Sequence, residues 1–243
     1  IVKKNKIKLI LPVTDHDILI LASLKKKFRK LGCEIAVPNI EITKILHNKL
    51  KTNFFCKKHN ILSPEVIEPK KIKKFNKDYS LIEKEISGSA SKNIKVLNKG
   101  SKIKIKKNFI YQKFINGKEL HFDILNDFNG KYISSCVKEK IAIRNGETDI
   151  AKIVKKKEYT FLAKQISKKI KHQGNLDCDA IIDNKGKVHF IDFNPRLGGG
   201  YPFTHLSGMN FIEVLINLVK GKKTRIKEPK LITSAKTLGI LNL

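Results

Sequence analysis

A chain of 243 residues with 41% hydrophobic content can bury a sizeable core, which excludes a disordered polymer. The formal charge of +29 would suit nucleic acid or an anionic surface, but the lysines are spread through every segment. With no Trp and no aromatic-interleaved basic motif, the excess reads as background composition, and neither nucleic acid nor a membrane is expected as a partner. Cys33, Cys56, Cys136 and Cys178 are scattered without a C-x-x-C, which excludes a disulfide framework or a cysteine zinc site and favours a reducing, cytoplasmic location.

Residues Ile7 to Val13 form a continuous apolar run, the pattern of a strand buried on both faces of a parallel sheet. Thr14 or Asp15 then serves as a helix N-cap, and Ile18, Leu21, Ala22, Leu24, Phe28 and Leu31 recur at helical spacing. Gly32 suits the position after the helix, and Cys33 to Val37 is a second strand stopped by Pro38. This is a β-α-β unit, and Asp15 and Asp17 stand where such a sheet presents side chains to a ligand, with helix capping as the alternative. The first segment already reads as the middle of something, so further sequence is expected before Ile1. No apolar run reaches the roughly 20 residues that span a bilayer, and no signal-peptide pattern is present.

The stretch Ile40 to Asn60 predicts helix in two pieces. Ser80 to Ile86 is a short strand carrying Lys84, followed by Ser87-Gly88-Ser89-Ala90-Ser91, whose small residues would let backbone N–H groups close around phosphate oxygens. Asn108 to Glu119 is a strand into a turn. Leu120 to Asn126 and Lys131 to Val137 pair across Asn129-Gly130, a strong hairpin signal. Glu158 to Lys171 is an amphipathic helix, Met209 to Val219 another, and Leu231 to Leu243 a final strand.

The densest chemistry lies between Gly174 and Tyr201. Leu176 to Ile182 and Val188 to Phe193 alternate apolar and polar residues about the turn Asp183–Gly186, a hairpin that carries Asp177, Asp179, Asp192 and Asn194 on paired strands. Two carboxylates and a neutral amide oxygen form a hard donor set that suits Mg²⁺ (or Mn²⁺) beside substrate phosphates. Arg196 follows, able to grip a phosphate with two N–H groups, and Gly198-Gly199-Gly200 comes next.

Asp192-Phe193-Asn194-Pro195-Arg196 followed by Gly198-Gly199-Gly200-Tyr201-Pro202 resembles the metal-binding end of an ATP-grasp domain, of the branch similar to the large subunit of carbamoyl-phosphate synthase. The resemblance covers residues 5 to 221 and implies two α+β lobes clasping ATP, preceded by a partial α/β domain. It divides the chain into residues 1–45 and an ATP-grasp domain over 46–243, with a small lobe over 68–112. It also implies the roles. Asp179, Asp192 and Asn194 would hold Mg²⁺ as two ions, and Lys49 and Lys84 would approach the nucleotide phosphates under a loop of Gly88, Ser89 and Ser91. The backbone of Gln112, Lys113 and Phe114 would meet the adenine edge, Phe114 would wall the base, and Glu119 would accept from the ribose. Lys138, Arg144 and Arg196 would lie over an acyl phosphate, with Tyr201 and His205 near the substrate. The chain departs from the family's pattern at Asn48, Glu85, Ala90 and Asn93. The implied activity is a carboxylate–amine ligase that joins small-molecule substrates. A degenerate ATP-grasp protein that binds nucleotide without turnover, and a basic nucleic-acid or anionic-surface binder, stay open.

Overall fold

The computed structural model describes residues 1–87, 93–144 and 146–237 of the chain. Strands β1 (Leu9–Ile10) and β2 (Glu34–Ile35) pair in parallel, joined by helix α1 (Asp15–Lys30). Ile18, Ala22, Ile35 and Val37 make their core. The run Ile7 to Val13 therefore yields only two strand residues, both half-buried rather than buried on both faces. A two-strand pair has no inner strand, so nothing encloses them fully. Thr14 is the N-cap of α1 by position, but its hydroxyl donates to Asp17 (2.7 Å) and caps no backbone N–H.

The helical stretch breaks into α2 (Ile40–Leu46) and α3 (Lys49–Lys58). Asparagine sets both starts: the Asn39 side chain accepts from the Ile42 N–H and that of Asn48 from the Lys51 N–H, each at 2.9 Å. Asn48 thereby fixes where Lys49 begins its helix. A short helix α4 (Ile72–Phe75) and a small antiparallel sheet follow, with β4 (Lys95–Leu97), β3 (Leu81–Glu85) and β5 (Phe109–Lys113) in that spatial order. Ile67, Ile72, Leu81, Leu97 and Tyr111 fill its core.

The larger sheet has six strands in the order β10 (Val188–Asn194), β9 (Gly174–Asp183), β6 (Gly117–Asn126), β7 (Tyr132–Arg144), β8 (Glu147–Val154) and β11 (Thr233–Ala235). Every neighbouring pair is antiparallel. Strand alternation sorts its two faces. Leu120, Phe122 and Ile124 of β6 and Leu176, Cys178 and Ala180 of β9 pack on one face with α5 (Lys157–Ile170). Tyr159, Ala163, Ile166 and Ile170 recur at helical spacing on the buried side of α5, and burying each isoleucine stabilises the fold by about 2 kcal/mol. On the opposite face, α6 (Tyr201–Leu206) and α7 (Phe211–Val219) cover Leu125, Cys136, Ala151 and Ile153. The same face also carries His121, Asp123, Asp177 and Asp179, with Ile181 at one side of them. Of the expected terminal strand, Thr233–Ala235 forms β11 among the described residues, and residues 238–243 lie outside them. Among the described residues no helix is long and apolar enough to cross a membrane.

Candidate functional site

Register brings the polar residues into rows across the sheet. Asp192 of β10 stands opposite Asp179 of β9, which stands opposite His121 of β6; one step along, Asn194, Asp177 and Asp123 form a second row. Strict alternation from Phe190 would turn Asp192 into the core. A bulge between Phe190 and Asp192 resets the phase, so Phe190 and Phe193 both pack inward while Asp192 faces the cleft. The bulged residue, Ile191, offers its carbonyl to Lys84 Nζ at 3.1 Å, a contact that ties the small sheet to the large one.

Lys49 and Lys84 converge on Asp192. Lys49 opens α3, its N–H donates to Ile86 (2.8 Å), and its Nζ lies 3.7 Å from Asp192 Oδ2. The pKa of Lys84 is lowered to about 8: burial is the main cause and the Lys49 charge adds to it, against the pull of Asp192 and Asp179. Gly88, Ser89 and Ser91 lie outside the described residues. Beyond Lys84 is an apolar slot walled by Ile82, Phe114, Ile115, Ile181 and Ile191, with Gln112, Lys113 and Glu119 also on its lining. The Lys113 and Phe114 N–H groups already donate to Glu65 (2.9 Å) and Ser80 (3.0 Å), so they have no donor to spare for a base edge. Gln112 is buried with its amide toward Pro64 O at 3.4 Å, and Lys113 Nζ sits 4.1 Å from the centroid of the Tyr79 ring.

A second, acidic cleft adjoins the slot and shares Lys140, Gly146 and Asp179 with it. Lys140 Nζ contacts Asp179 Oδ1 (2.7 Å) and Glu119 Oε2 (3.4 Å). Burial lowers the Lys140 pKa, but these two carboxylates more than offset it and the net shift is upward. Lys138, expected over an acyl phosphate, lines neither cleft. It is 1% exposed and bonds Asp123, Thr204 Oγ1 (2.8 Å) and the Gly200 carbonyl (3.1 Å), pinning α6 and the glycine loop to the sheet. Lys138 and Lys140 share a strand face, so spacing alone did not choose between them. Arg144 is exposed, pairs with Asp149 (2.8 Å), and lines neither cleft.

Arg196 lines the acidic cleft, but its fork is already held. Nε and Nη2 donate to the two oxygens of Asp15 (2.6 and 2.9 Å), and Nη1 to Asp177 Oδ2 (3.0 Å). Burial opposes its charge, yet Asp15 and Asp177 raise its pKa well above the usual value. The glycine loop fits over these groups only because it lacks side chains. A Cβ on Gly198 would stand 1.5 Å from Asp177 Oδ2, and one on Gly200 would stand 3.0 Å from the His121 ring. Tyr201 is buried, its hydroxyl accepting from the Ile212 N–H (3.2 Å), and His205 is exposed; neither lines the cleft.

His121 is a site residue the sequence reading missed; its only signal was odd parity with Glu119 and Asp123. Burial and Lys138 push its pKa down, but Asp177, Asp123 and Asp179 lift it to about 9. Asp177 is raised to about 6 by burial and its acidic neighbours, against His121 and Arg196. Ion pairing with Lys140 and bonding to His121 outweigh burial at Asp179, which stays well below the usual carboxylate range. Asp179 and Asp192 of the first row, with Asn194 of the second, offer oxygen donors alone, as a Mg²⁺ site requires.

Two layers of likeness bear on this arrangement. By fold, the chain is similar to the biotin carboxylase domain of Hydrogenobacter thermophilus 2-oxoglutarate carboxylase, solved with MgADP, ADP and bicarbonate (TM-score 0.73, 15% identity, 95% of this chain and 58% of that one). It is also similar to Campylobacter jejuni biotin carboxylase (TM-score 0.74, 15%, 95% and 58%) and to N5-carboxyaminoimidazole ribonucleotide synthetase of Thermotoga maritima (TM-score 0.70, 16%, 91% and 61%). The chain thus spans less than two thirds of the length of these solved structures. A search of curated proteins gave no match. The profile of ATP-grasp domains matches residues 46–200, and the chain belongs to that family.

Proposed function

We propose that the chain binds Mg·ATP across the two clefts and activates a carboxylate as an acyl phosphate, which a nitrogen nucleophile then attacks. The observation that carries this reading is the junction of the clefts at Lys140 and Asp179: an apolar slot sized by isoleucines runs directly into a cluster of carboxylates and cations. A nucleotide has the same polarity along its length. Its base would lie between Phe114 and the isoleucines, and its ribose would meet Glu119. Lys84, Lys49 and Lys140 would balance phosphate charge, which in such phosphoryl transfers is most of the protein's task. The closed β5 donors shift the base edge's donor toward residues beyond Phe114, where Ile115 lines the slot. Asp179, Asp192 and Asn194 would hold magnesium, as two ions, and the bound metal would supply Lewis-acid neutralisation of phosphate oxygens. Arg196, steadied by Asp15, would face the acyl group. Lys138 and Arg144 would serve at a distance, through the glycine loop and the β7–β8 turn.

The test is calorimetric titration of Mg·ATP into the wild-type chain and Asp192→Ala, followed by a screen of carboxylates and amines for ADP release. Metal-dependent binding that Asp192→Ala loses supports the reading; equal binding by both removes Asp192 from the site. One observation favours a second reading, nucleotide binding without turnover: Asp15 and Asp177 engage all three nitrogens of the Arg196 guanidinium. On that reading ATP binds but no carboxylate stimulates ADP formation.

A further inference from the structure

The geometry points to a second, chemically different metal site beneath the glycine loop, where His121 Nε2, Asp177 Oδ1 and Asp123 Oδ1 bind a borderline divalent ion such as Zn²⁺. Two buried atoms there face each other without a bond. His121 Nε2 and Asp177 Oδ1 have no hydrogen-bond partner, although both residues are about 4% exposed. Their separation is 3.4 Å, and Nε2 lies 3.5 Å from Asp123 Oδ1. Both distances exceed a good N–H···O contact of about 2.7–3.2 Å. They match the spacing of neighbouring ligands around one ion: at bonds of about 2.0–2.1 Å, separations of 3.4 and 3.5 Å subtend roughly 110–120°, close to tetrahedral. A water bridging the same atoms at about 2.8 Å would subtend only about 75°, too acute for its hydrogen bonds.

The surroundings are those of a metal-binding histidine. The other ring nitrogen, Nδ1, lies 3.2 Å from Asp179 Oδ1, the carboxylate partner that commonly orients a ligating imidazole. The second oxygen of each acidic ligand is anchored, Asp177 Oδ2 by Arg196 (3.0 Å) and Asp123 Oδ2 by Lys138. The ion takes the place of the proton that Nε2 would otherwise carry. The Gly200 backbone closes over the ring, where a Cβ would stand 3.0 Å from Nε2, and a water would complete the ion's shell as fourth ligand. One nitrogen and two oxygens suit Zn²⁺ or Co²⁺ better than Mg²⁺, which demands six oxygens. The imidazole links this ion to Asp179 of the magnesium row.

The test needs neither ATP nor turnover, so it stands apart from the ligase reading. The full chain, stripped by chelator, is titrated with Co²⁺ while the visible d–d bands are followed. Expected is one saturable equivalent with the strong bands of a four-coordinate ion, unchanged in Asp192→Ala and weakened at least tenfold in His121→Gln. Absence of saturable uptake, equal loss in Asp192→Ala, or unchanged bands in His121→Gln overturns the assignment. If His121→Gln fails to fold by circular dichroism, nitrogen modulation in the pulsed resonance spectrum of the wild-type Cu²⁺ complex decides. A directly bound imidazole supports the site, and an all-oxygen spectrum refutes it.

Discussion

Gly198→Ala is a small change with a large expected effect. The new Cβ would lie 1.5 Å from Asp177 Oδ2 and 2.5 Å from its Cγ, whereas real Cβ contacts start near 3.0 Å. The carboxylate or the loop must therefore retreat by about 1.5 Å. Asp177 has nowhere to go, being buried between His121 (3.4 Å) and Arg196 (3.0 Å). If it swings away, Arg196 loses a charge-assisted hydrogen bond, which costs about 1.5–3 kcal/mol. If the loop lifts, Gly200 pulls its carbonyl from Lys138. Either route predicts a loss of about 2–4 kcal/mol, or roughly 5–15 °C in Tm for a chain of this size. The assay is thermal and urea unfolding of a double-mutant cycle with Asp177→Ala. With the carboxylate gone, Gly198→Ala should cost under about 1 kcal/mol. Gly199→Ala is the control, since its Cβ meets nothing nearer than Glu147 at 3.6 Å, and it should change stability by less than about 0.5 kcal/mol. An equal cost of Gly198→Ala with and without Asp177 would refute the steric argument.

Burial lowers the His172 pKa to about 4, and its Nε2 bonds the Ile124 carbonyl (2.9 Å). Between pH 6.5 and 4 the unfolded chain therefore binds the extra proton, so stability is full above pH 6.5 and falls by roughly 3 kcal/mol toward pH 4. His172→Gln should flatten that part of the profile in urea titrations, and parallel profiles would rule the histidine out. Lys138→Met, which strands Asp123, should destabilise the fold by about 3–5 kcal/mol, whereas Lys140→Met should keep near-normal stability while weakening Mg·ATP. Equal behaviour of the two in unfolding and calorimetry would contradict the placement of Lys138. Lys84→Met should weaken Mg·ATP binding at least tenfold, the loss of one charge-assisted contact of about 1.5–3 kcal/mol; unchanged affinity would remove Lys84 from the site.

Where a motif combined rare residue types, the sequence was informative. The acid–Asn–Pro–Arg run and its glycines could be read because no helix or strand propensity explains them, and the hairpin around Asp183 could be read from its turn. Asp183 Oδ1 does accept from the Lys185 and Lys187 N–H groups, both at 2.9 Å. What could not be read depended on register and depth. Lys138 and Lys140 have the same parity, and only the three-dimensional path of the glycine loop buries the first and leaves the second in the cleft. The Ile191 bulge is invisible to a period-two reading. Arg196 was read as free to grip an anion because its partner Asp15 lies 181 residues away. Strand β8 was missed for another reason: Glu147–Val154 begins with polar residues, and its inward Ala151 and Ile153 are too few to set a period.

The Asp15–Arg196 pair also bears on where the chain can be divided. The sequence places a boundary near residue 45, and composition gives no hint that anything crosses it. Yet the first helix sends a carboxylate into the heart of the cleft, and the Pro12 carbonyl accepts from the Leu197 N–H (3.3 Å). Severing the chain at that boundary would strip Arg196 of its bidentate partner and leave Asp177 to restrain it alone. The amino-terminal unit is thus not cargo carried beside the six-stranded sheet but a piece of the cleft's wall. Fusions, truncations and exchanges of that unit between relatives should succeed or fail according to whether they keep an acid at position 15.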